Sequence, residues 1–323
     1  MDFHEKRKLE IFLKPIPNLN LNLNFTIFMS IKKAIFVVAG FGTRFLPITK
    51  SVPKEMLPIV DKPIIQYLVE EAVECGIEDI IFVTGRGKHS IENHFDKSFE
   101  LEQTLVEKNK TGLLEEVEKI SKLANFAYVR QPVQKGDGHA LLCAKPFIDP
   151  GESVLVVFPD YLMPKRNKTF AKMMENYRQN REIVIATDFV DKNQVDKYGV
   201  LKFENIKEME DSEFVKVLEF VEKPSIDKAP SNLINNGYAI ITPEVWRYLA
   251  ESESSSGDGE IRLADAFVKI LENGKKIMAL KPTNPGYDCG TKIGFLKAAV
   301  DLALERNDLK DEFWQFLASK FEK

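Results

Sequence analysis

Gly40 and Gly42, in the run Ala39-Gly40-Phe41-Gly42-Thr43-Arg44-Phe45-Leu46-Pro47, leave backbone N–H groups open to the oxygens of a phosphate. The Gly-Lys-Ser/Thr ending of a Walker loop is missing, and so is the third glycine of the dinucleotide fingerprint. Alone, a Gly-x-Gly run fits an ordinary tight turn as readily as a phosphate loop. The continuation Pro53-Lys54-Glu55-Met56-Leu57-Pro58 adds a second cation soon after Arg44, and its two prolines prevent one continuous helix. Arg44 and Lys54 can therefore converge on one anion, a better reading of the pair than two solvated surface cations.

Two further groups could serve a ligand. Asp160, in Phe158-Pro159-Asp160-Tyr161-Leu162, ends an apolar run, which puts a carboxylate at the carboxyl edge of a strand, where α/β sheets bind ligands. A lone aspartate there more often caps a turn. Glu222 and Lys223, in Val221-Glu222-Lys223-Pro224, offer an acceptor for hydroxyls and a cation for phosphate, although such pairs are commonly solvated.

These residues need a scaffold, and the pattern predicts one. From Ile31 short apolar runs alternate with helical stretches: strands at 34–39, 79–84, 126–130, 154–158 and 183–187, and helices at 64–75, 99–123, 138–145 and 170–178. The expected fold is α/β, a Rossmann-like, mostly parallel mixed sheet flanked by helices. Shorter alternating segments, 214–221 and 237–241, predict a small antiparallel extension on the far, sugar-binding side of the sheet. Helical spacing resumes at 260–272 and from 292 to the end, where Phe313, Phe316 and Leu317 form a stripe that reads as core packing or self-association. Residues 251–259 read as a solvated loop.

The 323 residues, 44% of them hydrophobic, can bury a full core, and 45 Lys and Arg against 49 Asp and Glu give a net charge of -4, which provides no basic field for nucleic acid. Cys75, Cys143 and Cys289 have neither CxxC pairing nor histidine partners at metal-binding intervals, and read as reduced thiols of a cytoplasmic protein. No apolar run approaches the roughly 20 residues of a spanning helix. The alternation from Asn18 to Asn24 is low in complexity and no secretory signal, and Met29 precedes the first strong strand. Residues 1–30 are thus expected to be an N-terminal extension, with 1–28 lying upstream of a natural start at Met29; an edge strand or partner-binding tail is the alternative. Residues 31–304 would form the catalytic domain and 305–323 a helical tail.

The loop from Gly40 to Pro47 and the segment from Pro53 to Pro58 together resemble the signature of the sugar-1-phosphate nucleotidylyltransferases. More narrowly they resemble the bacterial UTP:glucose-1-phosphate uridylyltransferases, over Ile31 to about Leu304. The stretch Thr84-Gly85-Arg86-Gly87-Lys88 with Ile91 to Asp96 also resembles that branch and is the main reason for expecting UTP. The resemblance implies transfer of UMP from UTP to glucose 1-phosphate with Mg2+, in a homodimer or homotetramer with no nucleic-acid or membrane partner. It assigns catalysis to Arg44 and Lys54, and the nucleotide to Ala39, Gly40, Gly42, Thr43, Gln131 and Gly136. Asp160 and Asp288 would hold the metal, the latter in Gly286-Tyr287-Asp288-Cys289-Gly290-Thr291-Lys292. Gly199, Glu222, Lys223, Asn236 and Gly237 would take the sugar phosphate. Asp137 stands where the family has an apolar residue, and Tyr161 where it commonly has a second acid. The family usually has other residues at Arg262 and Ala264, which receive no role. The alternatives are nucleotidyl transfer from dTTP or another triphosphate, or a non-catalytic nucleotide-sugar sensor.

Overall fold

The computed structural model describes residues 30–203, 212–252 and 259–321. The expectations for residues 1–28 and for most of the 251–259 loop fall outside them. In chain order the strands are β1 (Lys33–Val37), the short pair β2 (Pro58–Ile59) and β3 (Lys62–Pro63), β4 (Asp79–Thr84), β5 (Asn125–Arg130), β6 (Val154–Val157), β7 (Tyr161–Leu162), β8 (Ile183–Phe189), β9 (Gly199–Phe203), β10 (Phe214–Glu222), β11 (Leu233–Ile241), β12 (Ile277–Leu280) and β13 (Tyr287–Asp288). The α-helices are α1 (Ile64–Glu74), α2 (His89–Phe95), α3 (Phe99–Glu107), α4 (Thr111–Ser121), α5 (Asp137–Ala144), α6 (Thr169–Asn180), α7 (Pro243–Ser252), α8 (Leu263–Glu272), α9 (Lys292–Glu305) and α10 (Lys310–Phe321).

Nine strands form one sheet in the order β5-β4-β1-β6-β11-β8-β12-β10-β9. The first four are parallel neighbours, as are β8 and β12. Apart from the half-exposed edge strand β5, their sequences are apolar without alternation because both faces are covered. On one face Phe36, Phe82, Leu155 and Val157 pack with Ile64, Leu68 and Val69 of α1 and Phe170 of α6. On the other, Ile35, Ile81 and Val156 meet Leu141 of α5, Leu249 of α7 and Phe267 of α8. Helix α1 follows directly on Pro63 and gives way at Cys75 to Gly76, whose φ of 94° fits the left-handed turn that follows many helices.

The antiparallel strands depart from expectation in one respect. β10 and β9 do close the far edge, but β11 runs through the middle, antiparallel to both β6 and β8. Burial gives the reason: seven of its nine residues are inaccessible, a pattern that only a central strand can satisfy. Its register slips between Asn235 and Ala239, and Gly237 has φ 93°. This bulge, in the middle of β11, presents Asn236 and Gly237 beside the end of β6, where Phe158 N–H donates to the Gly237 carbonyl at 3.1 Å, a common use of bulges beside active sites.

The C-terminal helical stretch breaks after Glu305 into α9 and α10. Helix α10 packs against α9 but buries none of its residues, and Trp314 and Phe316 are exposed at 63% and 53%. The stripe at Phe313, Phe316 and Leu317 is therefore helical but is not core. No described helix is long and apolar enough to cross a membrane, and all three cysteines are free.

One partly buried acid carries a testable cost. Glu71 of α1 accepts a hydrogen bond from the Phe170 N–H at the start of α6 (3.2 Å), while burial pushes its pKa up to about 7. A carboxyl whose pKa is raised on folding adds stability below its ordinary value near 4.5, and that stability is lost as pH rises through about 7. Glu71→Gln keeps the acceptor without the charge. It should exceed wild type in unfolding free energy by on the order of 2 kcal/mol at pH 8, and by almost nothing at pH 4.5. Urea titrations at the two pH values check this; a gap independent of pH would contradict it.

Candidate active site

Four parallel strands deliver the chemistry-bearing loops to one edge of the sheet: Ala39 and Gly40 follow β1, Gly85 follows β4, Gln131 follows β5 and Asp160 follows β6. Gly85 is pressed against the first loop, since a Cβ there would stand 2.7 Å from Ala39 O, and the Gln134 amide donates to the same carbonyl at 2.8 Å. Gly42 adopts φ 67°, and a side chain on it would press on Lys54 Cβ at 3.1 Å and on Thr49 Cγ2 at 3.2 Å. Thr43 and Arg44 form an exposed single turn, and a second turn, Lys54–Met56, sits between Pro53 and Leu57.

That second turn is anchored from below. Glu55 is wholly buried and pairs with Lys88 at 2.8 Å, so the Lys88 of the Thr84–Lys88 stretch is a strut rather than a solvated cation. Burial lowers the pKa of Lys88, against the pull of Glu55. Lys54 points the other way, its Nζ 2.6 Å from Asp160 Oδ2. Burial alone would lower its pKa, but the carboxylates of Asp160 and Glu55 raise it, so Lys54 stays charged.

Asp288 arrives on β13, which pairs with β7 beside Asp160. Its Oδ2 accepts from the Tyr198 hydroxyl at 2.6 Å and its Oδ1 from Gly290 N–H at 2.9 Å. The space above Gly290 shows how tightly the groups converge. A Cβ there would lie 2.9 Å from Asp288 Oδ1, 3.2 Å from Arg44 Nη1 and 3.2 Å from Asp160 Oδ2. Just beyond, Thr291 caps α9 and Gly294 packs on the Asp288 carbonyl too closely for any side chain.

Arg44, Asp160 and Asp288 line a cavity of about 240 Å3 shared with Asp137, Tyr198, Gly199, Glu222, Lys223, Asn236 and Gly237. All five residues expected on the sugar side are therefore here. Gly199 opposes Glu222 across β9 and β10, and a side chain at Gly199 would strike the Phe220 ring. Lys223, at φ 45°, is held by its N–H to Tyr198 O at 3.0 Å. Asn236 is 4% exposed, and its Nδ2 has no partner. A buried amide donor left free at a cavity wall suits a ligand hydroxyl.

In the segment expected to take the nucleotide, Gln131 is buried and donates through Nε2 to Gly136 O at 2.9 Å, with His139 Nδ1 at 3.1 Å. Gly136 takes φ 91° and packs on Ile261 O, where no side chain fits. Asp137, the departure from an apolar residue, accepts from Leu263 N–H at 2.9 Å and so holds the first turn of α8 against this loop. Burial raises its pKa to about 6.

Comparison with known proteins gives the chain a family. The family model described as nucleotidyl transferase matches residues 33–305. The chain belongs to the nucleotidyl transferase family. It is 45% identical over 291 residues to UTP–glucose-1-phosphate uridylyltransferase 2 of Staphylococcus saprophyticus, covering 89% of this chain and 97% of that one. Among solved structures it resembles the UTP-bound UGPase of Acinetobacter baumannii, with TM-score 0.79, 38% identity and coverage of 89% and 99%. It also resembles a UDP-glucose pyrophosphorylase complexed with UDP-glucose, with TM-score 0.74, 37% identity and coverage of 85% and 100%.

In this nucleotidyl transferase several site residues lie outside the sequence expectations. Tyr198 orients Asp288, and Lys88 with Glu55 supports Lys54. Asp188, 1% exposed at the end of β8, binds Tyr161. Its signal was the one that singled out Asp160: an acid closing an apolar run. Another cavity, of about 290 Å3, lies beside Tyr67, Glu71 and Tyr287, but its Lys62, Lys165 and Arg306 are paired with Glu70, Glu74 and Asp61.

Proposed function

We propose that this enzyme transfers UMP from UTP to glucose 1-phosphate, giving UDP-glucose and pyrophosphate. The observation that carries the reading is the meeting of Arg44, Asp160 and Asp288 around Gly290, at the wall of the cavity that holds Glu222, Lys223 and Asn236. The names of its relatives and the ligands bound in the similar structures support the same substrates.

An oxygen of the glucose 1-phosphate forms the new bond to the α-phosphorus of UTP, and the bond from that phosphorus to the bridging oxygen breaks in line, the electron pair leaving with pyrophosphate. The attacking phosphate is already ionised, so no general base is required. Catalysis then rests on positioning and on charge placed where it develops. Lys54 and Arg44 face the α-phosphate and the triphosphate, Lys223 holds the attacking phosphate, and Glu222 and Asn236 receive sugar hydroxyls. The exposed N–H groups of Gly40 to Thr43 receive phosphate oxygens.

The donor set fits a hard cation. Asp160 and Asp288 are oxygen donors, and no described cluster of three or more His, Cys, Asp or Glu residues surrounds them. That is the pattern of Mg2+ held by one or two carboxylates and completed by substrate phosphate and water. Such an ion neutralises charge as two anions approach. For the base, the Nε2 of Gln131 is committed to Gly136, which leaves Oε1 to accept from uracil N3–H. Cytosine offers no N–H there. Pyrophosphate release with each triphosphate in turn tests the reading, UTP being expected to dominate and EDTA to stop turnover.

A further inference from the structure

The two segments that carry Asp160 and Asp288 are joined by very little of the regular fold. β7 and β13 pair over two residues, Tyr161 with Asp288 and Leu162 with Tyr287. A ladder this short is marginal even within a hairpin, and these strands are not connected by one. Beyond the ladder, Gly290 N–H donates to the Asp160 carbonyl at 3.0 Å, and the remaining side-chain link is Asp188, at the end of β8. Its Oδ2 accepts from the Tyr161 hydroxyl at 2.7 Å and from Gly286 N–H at 2.5 Å, and its Oδ1 accepts from Phe189 N–H at 2.7 Å. One carboxylate thus grips the residue directly after Asp160 and the residue two before Asp288.

The surroundings are built around that grip. The Tyr161 ring lies where Gly286 would carry a side chain, with its Cε1 2.5 Å from that position. The buried Tyr238 hydroxyl donates to the Tyr161 carbonyl and fixes the same residue from the opposite side. Asp188 is 1% exposed and pairs with no described cation, unlike the buried Glu55 with its Lys88. Removing a carboxylate from water is costly unless hydrogen bonds replace the solvent, and here they come from both active-site segments.

We propose that Asp188, acting through the Tyr161 hydroxyl and Gly286 N–H, is the positioning residue that sets the spacing of the Asp160 and Asp288 carboxylates and so the enzyme's affinity for its divalent cation. This rests on the reading that those two aspartates hold the ion. The Tyr161 position, where an acid is expected, then has a role of its own: its carboxylate function is taken up one layer back, by Asp188, with the phenol as the link.

The test is Mn2+ binding in the presence of UTP and without sugar phosphate, so that no turnover occurs, followed by the electron paramagnetic resonance of the free ion and corrected by a titration of UTP alone, which itself binds the ion. Tyr161→Phe keeps the ring against Gly286 and removes only the hydroxyl; Asp188→Asn keeps the shape and removes the charge. Each should weaken Mn2+ binding by about tenfold, the lower end of the range for groups that orient metal ligands. The double variant should be no weaker than Asp188→Asn, because the hydroxyl acts through that carboxylate. The Mg2+ concentration for half-maximal rate should rise by the same factor, with kcat largely recovered at saturating Mg2+. A folded Tyr161→Phe protein with lowered urea midpoint and unchanged Mn2+ affinity would overturn the proposal, and this variant decides the matter even if Asp188→Asn does not fold. Absence of Mn2+ binding by the wild-type enzyme would instead overturn the metal site, and the positioning role with it.

Discussion

Lys54→Met should lower kcat by about two to three orders of magnitude while leaving the fold intact, the scale expected when one donor to transition-state charge is lost. The substitution preserves most of what the side chain does structurally. Methionine retains the Cβ and Cγ that face Gly42, and the turn between Pro53 and Leu57 is held by Glu55 and Lys88, not by the ammonium. What disappears is the positive charge 2.6 Å from Asp160 Oδ2. Asp160 is 31% exposed, so its unpaired carboxylate remains partly hydrated and the stability loss should be within about 1 kcal/mol. Steady-state rates with saturating UTP and glucose 1-phosphate check the prediction. An unchanged kcat with raised KM would reduce Lys54 to uniform binding of ground and transition states.

Gly290→Ala should be nearly as damaging, by about two orders of magnitude in kcat/KM, the cost of displacing reacting groups by about 1 Å. The added methyl would stand 2.9 Å from Asp288 Oδ1 and 3.2 Å from Arg44 Nη1 and Asp160 Oδ2, the cation proposed for the triphosphate and the two carboxylates proposed for the metal ion. Gly290 does not occupy the left-handed region, so alanine brings no backbone strain and circular dichroism should be unaltered. A near-normal kcat/KM would mean that the three side chains do not have to converge for the reaction.

The parts of this site visible in the sequence share one property: their chemistry and their backbone requirement are coded by neighbours in the chain. Gly42 and Arg44 stand in one turn, Lys54 is bracketed by prolines, and Asp160 ends an apolar run, so each could be placed without knowing what lies across the sheet. The longer alternating strands and helices from β1 to β8 were legible for the same reason, but the short elements α2, β2, β3 and β7 were not, and the stretch 99–123 breaks into α3 and α4 where Asn109 turns left-handed at φ 52°. The central position of β11 was not, because an apolar run of that length identifies a strand but not its neighbours. Nor was the burial of Lys88, which in sequence is one more charged residue after two glycines; only the fold places it opposite Glu55. Asp137 looked like a defect in a family pattern, and its use as an acceptor for the first turn of α8 depends on Leu263, far along the chain. The stripe at Phe313 and Phe316 had the spacing of a packed helix, yet spacing cannot tell whether another element covers it, and α10 is largely exposed.

The most direct measurement of the central claim is pyrophosphate release with glucose 1-phosphate and Mg2+, offering UTP, dTTP, CTP, GTP and ATP separately, with EDTA as the control. Strong preference for UTP, abolished by EDTA, is the predicted result. Preference for CTP would contradict the base reading at Gln131, preference for dTTP, whose base offers the same N3–H, would overturn the choice of UTP alone, and release from none of the five would contradict the assignment of catalysis to this site.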